Sequence, residues 1–247
     1  MTTTTDNPQG PAPELSLLLP AYNEAECIAD VVREAGAVLR GMERPFEILV
    51  VDDGSTDATP EQLQSLRADW PELRILRLEP NAGQSAALGA AFRAARGAIF
   101  VTLDADGQND PADIPALVAR LGECDLCCGY RAERKDTWSK RVGSRLANAV
   151  RNAALRETIR DTGCTLKAFR AGFARDLPMQ FRGMHRFLPA LMALDGARIE
   201  ELPVNHRPRA AGQSKYTNWG RLKETLWDLW AVRWMRKRHR RPRTREL

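Results

Sequence analysis

The first half of the chain alternates short apolar runs with longer amphipathic or alanine-rich segments. Apolar residues recur at helical spacing from Ile28 to Leu39, and an alanine-rich helix is predicted from Gln84 to Arg96, closed by Gly97. Regular alternation of strand and helix is typical of a mostly parallel sheet with helices on both faces. The runs with the length and composition of buried strands are Leu15 to Leu19, Phe46 to Val51, Leu73 to Leu78 and Ala98 to Leu103.

The second half of the chain is less regular. Two further strands are predicted, at 125–130 and 198–204, and Pro203 restricts the second to an edge or a strand end because proline lacks an N–H for the ladder. Residues 161–170 predict a turn followed by a short strand. From Trp219 to Arg236, aromatic and aliphatic residues at helical spacing predict a long helix.

Acidic segments follow the second and fourth predicted strands. They read Asp52-Asp-Gly-Ser-Thr-Asp57 and Asp104-Ala-Asp-Gly-Gln108. Because ligands bind at the carboxyl ends of strands in open α/β sheets, we expect both segments to face one crevice. If the chain stays extended there, Asp106 and Gln108 point the same way and offer two oxygen ligands of the kind that Mg²⁺ or Mn²⁺ prefers. An Asp-rich turn without a ligand is the alternative that this motif alone leaves open.

Composition narrows the class of protein. A length of 247 residues suits one large α/β domain or two small ones, and a hydrophobic fraction of 43% is enough for a core. No run approaches the about 18 apolar residues of a membrane span. Neither G-x-G-x-x-G nor G-x-x-x-x-G-K-[ST] occurs, so dinucleotide-binding and P-loop proteins are set aside. The five cysteines suggest a reducing compartment, and Cys124, Cys127 and Cys128 are expected to pack as small apolar residues rather than to bind metal.

The positive charge of the chain is concentrated at its end. Net charge is +5, and residues 233–247 hold eight Lys or Arg with one Glu, which leaves 29 basic and 31 acidic residues elsewhere. A nucleic-acid-binding protein using this tail is one alternative class. The tail lacks aromatic residues beyond Trp234, and no basic face is evident in the remainder, so we expect no nucleic-acid partner.

Five motifs stand at predicted strand ends and loops: Pro20-Ala-Tyr-Asn-Glu24, Asp52-Asp-Gly-Ser55, Asn81-Ala-Gly83, Asp104-Ala-Asp-Gly-Gln108 and Gly212-Gln-Ser-Lys-Tyr216. Together they resemble family 2 glycosyltransferases, and among these the dolichyl-phosphate mannosyltransferases and undecaprenyl-phosphate sugar transferases. The resemblance covers Leu15 to Tyr216. It implies an α/β fold of the GT-A type, a single Rossmann-like domain over 15–218. Residues 1–14 are expected to be a disordered leader, and 219–247 an amphipathic helix and basic tail.

The resemblance also implies a role for each matching residue. Asp106 and Gln108 match the metal ligands, and Asp161 lies where the sugar is contacted. His185, which belongs to none of the matching motifs, is expected to be structural or a surface group. The acceptor phosphate is held by Arg131, Arg141 and Ser144. The nucleotide-sugar is bound by Pro20, Tyr22, Glu24, Asp53, Ser55, Asn81, Gly83, Asp104, Ala105 and Lys215. Catalysis is expected to depend on Asp104, Asp106, Arg131, Arg141 and Asp161.

The implied reaction is inverting, metal-dependent transfer of a hexosyl group from GDP-mannose or a UDP-sugar to a polyprenyl phosphate. A lipid monophosphate is already anionic, with a second pKa near ~6, so its attack needs no base. The site must instead tolerate two anionic groups, which calls for a divalent cation on the diphosphate and arginines on the acceptor. One alternative is transfer to a saccharide hydroxyl in cell-envelope polysaccharide synthesis, with Asp161 as the base. Another is a catalytically inactive nucleotide-sugar sensor.

A lipid acceptor places the reaction at a membrane. We expect a cytoplasmic protein that is peripheral on the inner face of the cell membrane and has no transmembrane span. Indole rings suit the headgroup boundary, and basic residues attract anionic lipid, so the segment 219–247 is expected to dock there directly. One alternative is attachment through a membrane partner subunit. Another is that the tryptophan face packs on the body of the protein and the tail is only solvated.

Overall fold

The described residues, 12–132, 149–208 and 218–240 of a computed structural model, form one seven-stranded sheet covered by helices on both faces. The strands are β1 (Leu15–Ala21), β2 (Phe46–Asp52), β3 (Leu73–Arg77), β4 (Ile99–Thr102), β5 (Leu126–Arg131), β6 (Lys167–Arg170) and β7 (Ile199–Val204). The helices are α1 (Ile28–Gly41), α2 (Thr59–Leu66), α3 (Gln84–Ala94), α4 (Ile114–Arg120), α5 (Leu188–Leu194) and α6 (Asn218–Arg238). Residues 149–155 are also helical, and short 3₁₀ turns lie at Pro111–Asp113, Ala171–Phe173 and Met184–Phe187.

The strand order is β3-β2-β1-β4-β6-β5-β7. Neighbouring strands are parallel except where β6 lies antiparallel to both β4 and β5. The predicted mostly parallel sheet is therefore confirmed. The edge position of β7 also confirms the expectation from Pro203, whose missing N–H is tolerated on an edge strand.

The central strands are buried on both faces, which explains why they read as continuous apolar runs. Leu17 and Leu19 of β1 pack in a core with α1, α2 and α4, whereas Leu18 points to the opposite core with α3, α5 and α6. All five cysteines are free and buried, and four of them lie in these cores: Cys124, Cys127, Cys128 and Cys164. Burial raises the pKa of the Cys128 thiol to about 12, so it behaves as a small apolar group.

The sheet reverses its winding between β1 and β4. From β1 the chain proceeds outward through β2 and β3, then returns to place β4 on the other side of β1. Such a switch point separates the loops that follow the two strands and opens a crevice at their carboxyl ends. The acidic segments after β2 and β4 both lie at this edge.

The C-terminal helix predicted from Trp219 to Arg236 is confirmed as α6. Val232 is buried, and Leu229 and Met235 pack against the core that contains α3 and α5. None of the helices among the described residues is both long and apolar enough to cross a membrane.

Candidate active site

The loops that follow β1 and β2 are fastened to each other. The Asn23 N–H donates to Ser55 Oγ over 2.9 Å, and the Glu24 N–H donates to Thr59 Oγ1 over 3.0 Å. Asn23 takes a left-handed backbone (φ 53°), which asparagine tolerates better than most residues. Tyr22 stays partly exposed beside them. The predicted nucleotide ligands Tyr22, Glu24 and Ser55 therefore lie together on one wall of the crevice.

Asp53 joins the loop after β2 to the loop after β3. Its buried carboxylate accepts hydrogen bonds from the N–H groups of Ala82 and Gly83, both over 2.8 Å, and from Asn81 Nδ2 over 2.9 Å. Gly83 has a φ of 88°, in the left-handed region that favours glycine, and directly precedes α3. The predicted ligands Asp53, Asn81 and Gly83 are thus brought together, with the Asp53 carboxylate directed at the protein backbone.

Asp104 faces a cavity between β4 and α3 that is lined by both polar and apolar residues. Gln84 Nε2 donates to Asp104 Oδ1 over 3.0 Å. Burial and the neighbouring charge of Asp106 raise the pKa of Asp104 to about 6, although a Thr165 hydrogen bond and the charges of Lys167 and Arg131 oppose this rise. The cavity is lined by Pro20, Gln84, Leu88, Thr102, Leu103, Asp104, Thr162, Gly163, Thr165, Lys167, His185, Arg186 and Leu188.

The segment from Asp106 to Gln108 is a turn, so the premise of an extended chain at this point is wrong. Gly107 has a φ of 72°, which reverses the chain and which other residues rarely adopt. Asp106 and Gln108 nevertheless stay adjacent, because Asp106 Oδ1 accepts a hydrogen bond from the Gln108 N–H over 3.1 Å. Ala105, before the turn, is buried.

His206 is a site residue that the sequence analysis missed. Its Nε2 lies 3.5 Å from Gln108 Nε2, and residues 109 and 206 form an isolated antiparallel bridge. The Arg207 N–H donates to the Gln108 carbonyl over 2.8 Å, while the Arg207 guanidinium contacts Asp110 and Glu34, each over 2.7 Å. These bonds fix the loop after β7 against the turn after β4.

The side chains around this turn fit a small divalent cation. The carboxylate of Asp106, the amide oxygen of Gln108 and the imidazole of His206 are oxygen and nitrogen donors that Mn²⁺ accepts, and Mg²⁺ accepts the first two. No group of three or more His, Cys, Asp or Glu side chains suited to a metal occurs within the described ranges. Such a cation would therefore take its remaining ligands from substrate phosphate and water, as Mg²⁺ usually does.

Arg131 and Asp161 form one ion pair. The guanidinium contacts Asp161 through Nε at 2.7 Å and Nη2 at 2.9 Å, and the Arg131 N–H also donates to Asp161 Oδ2 over 3.2 Å. The N–H of Gly163 donates to Asp161 Oδ1 over 3.1 Å. A Cβ at Gly163 would lie 3.0 Å from Arg131 Nη2, so glycine makes room for the pair. The two residues, which the sequence analysis gave separate roles, act as a unit in the structure.

Further polar residues reach the cavity from distant elements. His185, expected to be structural, lines the cavity, and its Nδ1 lies 2.8 Å from Ser85 Oγ. Lys167 is buried in the cavity wall, and its ammonium donates to the Cys164 carbonyl. A lone His or Lys in sequence carries no signal for such a placement. The predicted residues Arg141, Ser144 and Lys215 lie outside the described residues.

Comparison with known proteins identifies the family of this arrangement. The sequence profile described as glycosyl transferase family 2 matches residues 16–177. The chain is 38% identical over 209 residues to the dodecaprenyl-phosphate galacturonate synthase of Rhizobium johnstonii. That match covers 82% of this chain and 62% of the relative, so the chain spans less than two thirds of the relative's length.

Solved structures support the same fold. Glucosyl-3-phosphoglycerate synthase from Mycobacterium tuberculosis, in complex with Mn²⁺, uridine diphosphate and glucosyl-3-phosphoglycerate, matches with a TM-score of 0.66 at 20% identity. The match covers 91% of this chain and 80% of that one. TarS (residues 1–349) of S. aureus matches with a TM-score of 0.53 at 21% identity, over 76% of this chain and 58% of that one. The predicted GT-A fold is thereby confirmed, and the chain belongs to glycosyl transferase family 2.

Proposed function

We propose that this protein transfers a sugar, with inversion, from a nucleotide-sugar to the phosphate of a polyprenyl phosphate. The name of the Rhizobium relative supports a polyprenyl-phosphate acceptor and a uronic acid as the sugar. A UDP-hexuronate is therefore the first donor to test, before UDP-hexoses and GDP-mannose.

The observation that carries this proposal is the pairing of Arg131 with Asp161. Both oxygens of Asp161 accept hydrogen bonds, from the Arg131 guanidinium, its backbone N–H and the Gly163 N–H. A carboxylate so engaged is a weak base, since each bond stabilises its ionised form. Asp161 was the base proposed for a saccharide-hydroxyl acceptor, and its engagement disfavours that alternative.

The same pair favours an acceptor that is already anionic. Arg131 lies close enough to Asp104 for its charge to lower the pKa of that carboxylate. A guanidinium held close to the cavity of Asp104 suits a phosphate, which it can bind through two parallel N–H groups. In this arrangement Asp161 is a positioning residue, and Arg131 orients the nucleophilic phosphate oxygen toward the anomeric carbon.

For the donor side, we propose that Asp106, Gln108 and His206 hold Mg²⁺ or Mn²⁺. When bound, the cation would neutralise charge that develops on the leaving diphosphate. The wall formed by Tyr22, Glu24 and Ser55 would bind the nucleoside, while Asp104 and Gln84 would orient sugar hydroxyls. Lys215 remains a predicted contact to the diphosphate.

We further propose that the protein works on the cytoplasmic face of the membrane, because a long polyprenyl phosphate presents its headgroup only at a lipid surface. Attachment would be peripheral, through the bilayer itself or through a membrane partner subunit.

A transfer assay tests the proposal. Purified protein would be incubated with Mn²⁺, a radiolabelled UDP-hexuronate or UDP-hexose, and either polyprenyl phosphate or a panel of oligosaccharides. We expect label in the lipid phase, lost on addition of EDTA and in Asp106→Ala, but kept in the exposed control Glu61→Gln. Transfer to an oligosaccharide with no lipid product would establish the alternative acceptor instead.

A further inference from the structure

Among the described residues, most of the few large apolar side chains that are exposed lie on or beside α6. Among the described residues, the exposed large apolar side chains are Tyr22, Val150, Phe181, Leu226, Trp227, Trp230 and Trp234. Leu226 and the three tryptophans belong to α6, and Phe181 lines a common groove with the three tryptophans. Trp227 is 72% exposed, which is far from the usual burial of tryptophan. Clustered exposed apolar side chains of this kind mark a surface that binds a protein, a ligand or a membrane.

The face of α6 that packs against the core is not the face that carries the exposed tryptophans. Trp227, Trp230 and Trp234 follow at spacings of three and four, so they lie on one face of the helix. Val232, on the opposite side, is 1% exposed, and Leu229 packs against the same core. The helix therefore buries one face and presents a second, aromatic one.

A shallow apolar groove runs along this aromatic face. Its lining residues are Phe181, Arg182, Met184, Trp227, Asp228, Trp230, Ala231, Trp234 and Met235. A second, more polar hollow begins at Trp227 and Asp228 and includes Gln84, His185 and Arg186. Those last three residues also line the cavity of Asp104, so the aromatic face adjoins the entrance to the candidate active site.

Positive charge accompanies the aromatic face. Five basic side chains are exposed in the last two turns of α6 and directly after it: Arg233, Arg236, Lys237, Arg238 and Arg240. Residues 229–240 include no Asp or Glu. Aromatic rings beside clustered cations match the boundary of an anionic bilayer, where indole rings occupy the headgroup level and cations meet lipid phosphates. A second copy fits this surface poorly, because pairing through it would oppose two strongly basic segments.

We propose that Phe181, Leu226, Trp227, Trp230 and Trp234 form a docking surface that binds directly to an anionic lipid bilayer. The aromatic rings enter the headgroup region, and the basic end of α6 contacts the lipid phosphates. Resting on the proposed function, this orientation places the hollow at Arg186 against the bilayer, where the head of a polyprenyl phosphate emerges. The docking surface thus supplies the acceptor to the crevice without a membrane span in the described helices.

Vesicle flotation of the full chain tests the docking surface. We expect binding to vesicles of phosphatidylglycerol and phosphatidylcholine at low salt, with weaker binding to phosphatidylcholine alone. The triple variant Trp227→Ser, Trp230→Ser, Trp234→Ser should bind at least about tenfold more weakly, because it removes the rings that enter the headgroup region. Val150→Ser, which removes an exposed apolar side chain that belongs to a different helix and does not line the groove, is the matched control and should float like the wild type.

Two further measurements separate the outcomes. Calorimetric binding of the nucleotide-sugar should be equal in the triple variant and the wild type, which shows that the variant is folded. Transfer to a short, water-soluble prenyl phosphate should also be unchanged, whereas transfer to a long polyprenyl phosphate in vesicles should fall. Absence of transfer to either acceptor in the wild type contradicts the proposed function and leaves the flotation result to stand by itself.

Three results would overturn the docking surface. The first is a wild-type chain that does not float with anionic vesicles, and the second is a triple variant that floats as well as the wild type. The third is a wild-type dimer in sedimentation that the triple variant abolishes, since the aromatic face would then join two copies.

Discussion

Replacing Asp161 with asparagine should impair use of the acceptor far more than binding of the donor. The change keeps the shape of the side chain but removes the charge that orients Arg131 through contacts of 2.7 and 2.9 Å. The side chains of Arg131 and Asp161 are 17% and 9% exposed, so this ion pair is neither fully exposed nor fully buried. Exposed pairs contribute about 0–1 kcal/mol, and breaking a fully buried pair costs about 3–5 kcal/mol. We expect a loss of about 2 kcal/mol, which is about 30-fold in kcat/KM for the acceptor.

A double-mutant cycle distinguishes positioning from direct catalysis. The kcat/KM for polyprenyl phosphate would be measured at saturating donor for Arg131→Ala, Asp161→Asn and the double variant, with the donor Kd from calorimetry. If Asp161 acts through Arg131, the double variant should be no slower than Arg131→Ala, and the donor Kd should stay within about twofold. If the double variant loses the product of the two single-variant factors in kcat/KM, this reasoning is refuted and Asp161 is an independent catalytic group. An equal loss of donor affinity would place Arg131 on the leaving diphosphate.

Three other variants test the remaining assignments. Asp106→Ala should abolish cation-dependent transfer while the melting temperature without metal changes by less than about 2 °C, as expected for a surface turn; full activity of the variant in EDTA would exclude the metal assignment. Gly36→Ala should lower the free energy of unfolding by about 1–3 kcal/mol, because a Cβ there would lie 2.2 Å from the ring of buried Trp70. Gly41→Ala, in the same helix, is the control: a Cβ there has no neighbour within 4 Å, so this change should not destabilise the protein. Burial alone would raise the pKa of Asp57, yet hydrogen bonds from Thr59 and Ala25 hold it below its usual value of 3.8. The stability that Asp57 contributes is therefore present above pH 3.8 and lost as pH falls through its folded pKa, so the difference in melting temperature from Asp57→Asn should vanish in acid.

The sequence by itself determined the layered architecture. Runs such as Leu15 to Leu19 must be buried on both sides, and helical repeats such as that from Ile28 to Leu39 have one apolar face, so local periodicity was sufficient to predict the sheet and its covering helices. Pro203 restricted β7 to an edge or a strand end for an equally local reason, and the structure has β7 at the edge. Acidic residues directly after β2 and β4 indicated the crevice, because parallel strands end at a common edge.

Only the tertiary structure decided which side chains meet in that crevice. The pairing of Arg131 with Asp161, and the approach of His206 to Gln108, join residues far apart in sequence, and no local pattern records such contacts. The exposure of Trp227 is a similar case: helical spacing predicted an aromatic face, but whether that face is buried depends on which side of α6 meets the core. Local order follows from periodicity and backbone sterics, whereas the site and the docking surface follow from how separate elements pack.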